Sequence, residues 1–327
     1  MRKFLAVVTG AVLAAAVAAA PAGEPASPAA PVAPEGKAAD KPAAGPQVVR
    51  VGVYVLSMGK LDVTTGSFTI DYYLTLRSEQ PIAENSFEFM NGRAGVEKIT
   101  DEKDAETGLH VKVYRVLANL SSPIDFRQFP FDGQRLQVIM EDKAKPASEL
   151  VYAVDPEKSG FDPSVTFPGW KMHGWSPSVA VHDYGSFDKP YSQYVFSVGI
   201  ERIRMNSFLK TFLPVLFLML IMISSFILNP EQIVTRLATI SSSLVASAMF
   251  HISIASQIPP VGYLTFADKF MMLTYFILLV SFFLNIGIFV LQGREKKEPA
   301  QRLHRLSEKL VFVGVPVLYG ALFLFLG

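Results

Sequence analysis

The chain has 327 residues, and its 30 lysines and arginines nearly balance 29 aspartates and glutamates, which leaves a formal net charge of +1. This balance argues against nucleic acid or another polyanion as a partner. Half of the residues are hydrophobic and 18% are charged, below the roughly 25% of a soluble domain, so the composition favours a membrane protein. The absence of cysteine excludes disulfides, thiolate metal sites and cysteine nucleophiles.

The N-terminal segment is typical of a targeting sequence. Residues 1–3 are Met-Arg-Lys, and an apolar run to Ala20 leads into small residues. This pattern predicts a secretory signal peptide over residues 1–22, with a retained membrane anchor as the alternative. Residues 23–47 are mostly alanine, proline and glycine, which predicts a flexible linker because large apolar groups are scarce.

Residues 48–205 show the period-two alternation of half-buried strands. The clearest run places Phe68, Ile70 and Tyr72 on one face, with polar residues between them. The same alternation recurs over residues 109–113, 136–140 and 194–200. Short strands separated by turns predict an all-β, immunoglobulin-like antiparallel sandwich that forms the extracellular domain.

Residues 206–327 hold four long apolar segments. They cover residues 208–228, 233–255, 266–291 and 310–326. Each approaches the ~20 residues of a spanning helix, which predicts an all-α four-helix transmembrane domain. The segment 292–307 is rich in lysine and arginine, which predicts a cytoplasmic loop and, with a secreted N-terminal domain, both chain ends outside.

The second apolar segment is the most polar of the four. It contains Arg236, His251 and many hydroxyl groups, which lipid would solvate poorly. Two interpretations stay open: a helix that lines a water-filled path, or a buried helix that packs through small residues. Because one helix cannot enclose a pore, the first interpretation requires several copies around an axis.

Residues 120–136 carry the most specific motif, Phe129-Pro130-Phe131-Asp132 within a longer loop. The loop resembles the signature loop of the Cys-loop receptors, the pentameric ligand-gated ion channels, without the two flanking cysteines, as in prokaryotic members. Further matches follow in the family's order: Gly169-Trp170, Leu213-Pro214, Arg236, Ile258-Pro259 and Tyr263. The resemblance covers residues 48–326. It implies a homopentamer around a central pore in a bacterial inner membrane, with the N-terminal domain and the C-terminus on the periplasmic side.

The resemblance also implies which second-span positions face the pore. These positions are Ala238, Ser242, Val245, Met249, Ile252 and Ser256. Apolar rings of Val245, Met249 and Ile252 would close the path by dewetting, and Ser242 would supply a hydroxyl ring for partly dehydrated ions. Periodicity alone does not decide between Ile252 and the neighbouring Ser253.

The cytoplasmic mouth is assigned to Glu231, Thr235 and Arg236 on the same grounds. Cation-selective members of the family carry a glutamate directly before the basic residue, and here Thr235 takes that place. Glu231 is the nearest acid and would form an acidic ring, which gives a weak preference for monovalent cations.

A charged joint between the two domains is the next implication. Phe131 would wedge between the sandwich and the helices, and Asp132 would pair with Arg202, with Asp62 as a further partner. Three unrelated surface charges are the alternative. Pro214 lacks a backbone donor and marks a bending point in the first span, and Pro259 closes the second span.

Candidate sensing residues are less complete. The chain is short between residues 77 and 110, and the aromatics that remain for a ligand pocket are Trp170, Trp175, Tyr184, Phe187 and Tyr191. Packing in the core or on the surface is the stronger reading of these rings, since a cage needs several of them around one cation. His251 is a candidate proton sensor, and a purely structural histidine is the alternative interpretation. Asp132 and Glu201 are acidic candidates for the same role.

The function predicted from these patterns is an ion channel gated by an extracellular ligand or by protons. Its partners would be four further copies of the chain, permeant small ions and the lipid bilayer. A membrane-tethered ligand-binding receptor subunit without conductance is the alternative. The sequence has no motif of a metalloprotease, a serine hydrolase or a phosphate loop, so we expect no enzyme activity, no cofactor, no metal and no nucleic acid.

Overall fold

The computed structural model describes residues 45–185 and 189–326. The predicted signal peptide, most of the predicted linker and the candidate pocket residue Phe187 lie outside the described residues. The first described element starts at Gln47, at the end of the predicted linker.

The described part of residues 47–202 is built of strands joined by loops and one short 3-10 turn at Pro156–Lys158. The strands are β1 Gln47–Met58, β2 Ser67–Ser78, β3 Phe87–Phe89, β4 Gly92–Lys103, β5 His110–Ser121, β6 Gly133–Asp142, β7 Leu150–Val154, β8 Gly160–Phe161, β9 Trp170–His182 and β10 Tyr191–Arg202. They build one sheet in the order β4-β5-β2-β1-β7, with β8 beside β1, and a second sheet in the order β3-β6-β10-β9.

The pairing is antiparallel except at one edge of the first sheet. There β7 and β8 run parallel to β1, with Gln47 opposite Leu150 and Tyr54 opposite Gly160. This departs from the purely antiparallel sandwich that the turn pattern predicts. Both strands reach β1 after the chain leaves the second sheet at the end of β6, so they are not hairpin partners of β1 and their direction is not fixed by a tight turn.

The core lies between the two sheets. The alternating residues predicted to face inward in β2 are buried, and so are their counterparts across the core, with Tyr72, Leu136 and Phe196 each fully buried. Burial therefore alternates along these strands as predicted. The inner faces of the two sheets pack on each other, and the outer faces carry the polar residues.

Helices follow from Arg204. They are α1 Arg204–Thr211, α2 Leu213–Ser225, α3 Ile233–Ala255, α4 Phe266–Gly293, α5 Lys297–Lys309 and α6 Val315–Leu326, with a π-helical turn over Leu310–Gly314 joining the last two. Within residues 45–185 and 189–326, three stretches are long and apolar enough to cross a membrane: Pro230–Ala255, Phe266–Gly293 and Lys297–Phe325. A fourth is reached if α1 and α2, bent by 45°, count as one span.

The segment 292–307, predicted as a loop, is helical from Lys297 onwards. Its polar residues cover the outer side of α5, whereas Ala300 and Ser307 are buried against the other helices. Close packing is aided by Gly287 on α4, where a Cβ atom would lie 3.2 Å from the Leu303 side chain. An amphipathic stripe of this kind favours a helix even where the composition is polar.

The stacking of Phe196 under Trp175, with ring centroids 5.5 Å apart, provides a test of the sandwich core. We expect Phe196→Ala to lower the free energy of unfolding by about 3–5 kcal/mol, because a fully buried ring leaves a cavity. Thermal unfolding followed by tryptophan fluorescence measures this. Val181→Ala, at a side chain that is 67% exposed, is the control and should change stability by less than about 0.5 kcal/mol.

Candidate gating interface and pore-facing helix

The loop between β5 and β6, residues 122–132, joins the sandwich to the helices. Its Phe131 ring lies among three aromatic rings of the helical part, with centroid distances of 5.7 Å to Phe212, 5.7 Å to Phe266 and 6.3 Å to Phe323. Such a cluster removes a large apolar area from water and fixes the loop against the helices. The structure therefore places Phe131 where the wedge is predicted.

Backbone hydrogen bonds tie the same loop to the start of α4. The N–H of Phe266 donates to the carbonyl of Arg127 at 2.9 Å, and the N–H of Ala267 donates to the carbonyl of Phe129 at 3.0 Å. Two of the donors that every helix N-terminus leaves unpaired are thus satisfied by the loop. A shift of the loop must break these bonds or carry α4 with it.

Tyr263 and Arg127, for which the sequence predicted no role at this interface, complete the contact. The Tyr263 hydroxyl accepts the Phe126 N–H at 2.9 Å, and the Arg127 guanidinium lies 5.1 Å from the centre of the Tyr263 ring. A signal was present in the sequence: Thr265 and Asp268 form a capping box at the start of α4, and the spacing of a threonine and an acid three residues apart marks a helix start.

Asp132 and Arg202 meet at the end of the sandwich that contacts the helices. The Arg202 Nε atom donates to Asp132 Oδ1 at 2.7 Å, and Gln134 Nε2 donates to Asp132 Oδ2 at 2.6 Å. The Arg202 guanidinium lies 4.5 Å from the Trp170 ring centre and 5.1 Å from that of Phe129. Asp132 is 1% exposed, so its charge is balanced inside the protein rather than by water.

Asp62 is not part of this pair. Its carboxylate accepts the Thr64 N–H at 2.9 Å and the Thr65 hydroxyl at 3.0 Å, within its own turn. The backbone bond from Thr64, then the hydroxyl of Thr65, lowers the pKa of Asp62. The three-way charged joint is therefore wrong for Asp62, because local hydrogen bonds take up its oxygens. The turn contributes Val63 instead, which packs against both the sandwich core and the helical core.

Pro214 lies in the first turn of α2, directly after the 45° bend. The fully buried Phe212 occupies the break between the two helices and packs on Phe270 at 4.5 Å. A proline at this place needs no intrahelical donor, so the bend and the residue fit each other. Pro259 follows the end of α3, outside any helix.

The six positions predicted to face a pore lie on the exposed side of α3. Val245, Met249 and Ile252 are 65%, 65% and 67% exposed. The opposite face is buried against the other helices through Ile233, Arg236, Ile240, Ser243, Ser247 and Ile254. The packing interpretation of the second span therefore applies to that face, and the predicted stripe is left uncovered by its own chain. Ser253 is exposed as well, so the choice between Ile252 and Ser253 as the pore-facing position stays open.

Arg236 does not face outward. It is 0% exposed; its Nε donates to the Ser225 carbonyl at 3.0 Å, and its Nη2 donates to the Phe226 carbonyl at 3.0 Å and lies 3.3 Å from His304 Nδ1. The assignment of Arg236 to a pore mouth is corrected: its cation satisfies the free carbonyls at the end of α2. Glu231 and Thr235, by contrast, are exposed.

His251 connects α3 to α4. Its Nδ1 lies 3.1 Å from the Tyr275 hydroxyl, and its Nε2 lies 3.1 Å from Asp268 Oδ1. Asp268 also accepts the Thr265 N–H through its other oxygen at 2.8 Å. Both ring nitrogens of His251 are therefore partnered, and one partner is the carboxylate that caps α4.

The two candidate pocket tryptophans are engaged elsewhere. Trp170 stacks with Arg202 at the interface, and Trp175 lies over Phe196 in the middle of the hairpin formed by β9 and β10. Tyr184 and Tyr191 meet at the other end of that hairpin, with ring centroids 6.1 Å apart. The four described rings thus do not form one cage, because they are spread along the length of the β9–β10 hairpin.

Comparison with known proteins agrees with the two-part architecture. The chain is 24% identical over 275 residues to the "Proton-gated ion channel" of Gloeobacter violaceus, covering 76% of this chain and 74% of that protein. That share exceeds either the strand region or the helical region alone, so the similarity extends over both. No protein-family model matches the chain.

The buried pair provides a test of the interface that does not depend on any current. We expect Asp132→Asn to cost about 3–5 kcal/mol of stability, because Arg202 then loses its buried counter-charge. In a double-mutant cycle, Asp132→Asn with Arg202→Gln should cost less than the sum of the single changes.

Asp125→Asn is the matched control, since Asp125 pairs with Arg127 at 2.9 Å with both side chains more than half exposed. Its cost should stay below about 1 kcal/mol. Equal losses for the two aspartate variants, in chemical denaturation of the purified protein, would contradict a structural role for the Asp132 pair.

Proposed function

We propose that the chain is one subunit of a homopentameric ion channel that opens in response to extracellular protons or another extracellular ligand. It conducts small ions with a weak preference for monovalent cations. The observation that carries the proposal is the exposed stripe on α3, which runs from Ala238 through Ser242 and Val245 to Ser256. The similarity to a proton-gated ion channel supports the same class.

The stripe needs a partner that the single chain does not provide. Ser242 carries a hydroxyl group on the exposed face of a helix long enough to span a membrane, and the exposed Ser256 directly follows the last residue of that helix. Hydrocarbon solvates such groups poorly, whereas a water-filled axis shared by several copies solvates them well. Five copies, as the resemblance implies, turn each position into a ring.

The rings differ in chemistry along the helix. Val245, Met249 and Ile252 supply the apolar part, which stops ion flow when it is narrow because hydrated ions cannot wet it. Glu231 and Thr235 lie at the other end and form the mouth that we assign to the cytoplasm. The sandwich and the C-terminus then lie on the periplasmic side of a bacterial inner membrane.

The interface described above is the proposed route from sensing to opening. Movement of the sandwich acts on Phe131 and on the Asp132–Arg202 pair, and the loop carbonyls transmit it to the start of α4. His251 provides a second proton-dependent link, since its protonation beside Asp268 would strengthen the contact between α3 and α4. A proton opens the channel only if it binds the open state better than the closed one.

The proposal is tested by ion flux from liposomes or by single-channel recording, stepping the external pH from neutral to acid. We expect a proton-evoked current from the wild-type protein and a larger open fraction at neutral pH in Val245→Ser. An increase on the order of tenfold in the ratio of open to closed channels requires about 1.4 kcal/mol. The five substituted side chains of a pentamer all act on this one equilibrium.

Val313→Ser is the matched control, because Val313 has the same 65% exposure but lies in the last candidate span. It should leave the open fraction unchanged. A folded pentamer that never conducts would favour the tethered receptor subunit, and a monomer would exclude the channel.

Ion preference is tested separately at the mouth. Under a salt gradient, Glu231→Gln should move the reversal potential toward the value of a pore that does not prefer cations, because an acidic ring concentrates cations. Glu298→Gln, in the first turn of α5, is the control for a general change in charge. An unchanged reversal potential in Glu231→Gln would remove Glu231 from the ion path.

A further inference from the structure

A buried carboxylate lies on the outer face of the second sheet, far from the membrane helices. Glu141 is at the end of β6, and its side chain is 3% exposed. Glu88 on β3 stands directly opposite it in the sheet. A buried acid with another acid as its cross-strand neighbour is costly to keep charged unless hydrogen bonds stabilise its carboxylate.

Three side chains from the β9–β10 hairpin supply those partners. Gln193 Nε2 donates to Glu141 Oε1 at 2.6 Å, and His182 Nδ1 lies 2.9 Å from the same oxygen. The Tyr184 hydroxyl donates to Oε2 at 2.7 Å. Burial, and then this hydrogen bond, raises the pKa of Tyr184 to about 12, so the phenol remains a donor over the physiological range.

His182 Nδ1 has two neighbours, Glu141 Oε1 at 2.9 Å and Gln193 Nε2 at 3.1 Å. Because the amide nitrogen is a donor and the carboxylate oxygen an acceptor, we assign the Nδ1 proton to the shorter contact with Glu141. A second proton is taken up at Nε2, and the His182 side chain is 42% exposed, which gives water access to it. Protonation then makes an ion pair at a place where Glu141 otherwise has hydrogen bonds only.

Other charged groups surround the pair without replacing it. The ionisable residues on the neighbouring elements are Glu88, Asp142, Lys143, Tyr152, Asp183, Tyr184, Lys189 and Tyr191. Asp142 is on the core side of β6 and accepts the N–H groups of Ala144 and Lys145, and Lys143 donates to the Asn85 carbonyl at 2.9 Å. Among the described residues, the ion pair that Glu141 makes is with His182.

The two strands that carry the pair also carry the pair at the membrane end. β6 and β10 stay in register from Gln193 opposite Glu141 to Glu201 opposite Gly133, roughly 27 Å at ~3.4 Å per residue. Asp132 directly precedes Gly133 and Arg202 directly follows Glu201, so both lie at this second end of the ladder. A constraint at Glu141 therefore acts on the same antiparallel ladder that ends at the Asp132–Arg202 pair.

We propose that His182 and Glu141 form a proton-binding site that clamps the β9–β10 hairpin onto β6 at acid pH. The clamp is stronger with a proton on His182, because the imidazolium then forms an ion pair with the buried Glu141 carboxylate. The clamp as such does not depend on conduction. Its effect on opening rests on the proposed channel function.

Amide hydrogen exchange of the full-length protein in nanodiscs tests the clamp directly, with labelling times scaled for the intrinsic pH dependence of exchange. Between pH 7.5 and pH 5, the start of β10 should gain protection in the wild-type protein and in His173→Gln, the matched control on an exposed part of β9. The gain should disappear in His182→Gln. His182→Lys, which supplies a permanent cation, should show the acid level of protection at pH 7.5.

Recordings on the same variants test the link to opening. We expect His182→Gln to raise the proton concentration of half-activation by about two- to fivefold, the range of a partly exposed ion pair. Glu141→Gln should have a similar effect, and the double variant should add little to either.

The two proposals fail in different ways. Equal gains in protection for wild-type protein and His182→Gln would overturn the clamp, whatever the currents show. Wild-type protein that gains His182-dependent protection but carries no current would keep the clamp and overturn the channel function.

Discussion

The contact of the loop at residues 122–132 with the helices is the constraint on which the rest of the structure depends. An apolar wedge, Phe131, sits in an aromatic cluster, while the loop backbone satisfies the first donors of α4. Neither contact is expendable: removing the wedge exposes apolar surface, and moving the loop leaves helix donors unpaired. This loop of eleven residues, 122–132, therefore joins the sandwich to the helical part, together with Val63 and the chain connection at Ile203.

Buried charges are compensated inside the protein both at this joint and at the opposite end of α3. Asp132 is held by Arg202, and Arg236 is held by the carbonyls that end α2. In both cases a buried ionic group has hydrogen-bond partners that depend on the relative position of two elements. Such groups stabilise one arrangement strongly and a displaced one weakly, which suits the switch between two discrete states that the proposed channel function requires.

Much of this architecture could be predicted from the sequence, and the misses have physical causes. Period-two runs located the strands, and the length of the apolar segments located the helices, because both depend on short-range patterns. The positions predicted to line a pore are exposed on α3, and their role in a pore stays a prediction. Arg236 and Asp62 were misplaced because a charged side chain gives no sign of which local acceptors or donors will hold it. The helix at residues 297–309 was missed because its charges masked an amphipathic pattern.

In the proposed channel, the exposed stripe of α3 borders a water-filled path. Because the chain has no cysteine, single cysteines can be introduced without background. The decisive measurement is the effect of a charged, membrane-impermeant thiol reagent on the currents of Ser242→Cys, with Leu220→Cys, on the exposed side of α2, as the reference. We predict block of the open channel in the first variant and none in the second. Unblocked current in Ser242→Cys, with labelling shown to be absent, would contradict the assignment of this face to a pore.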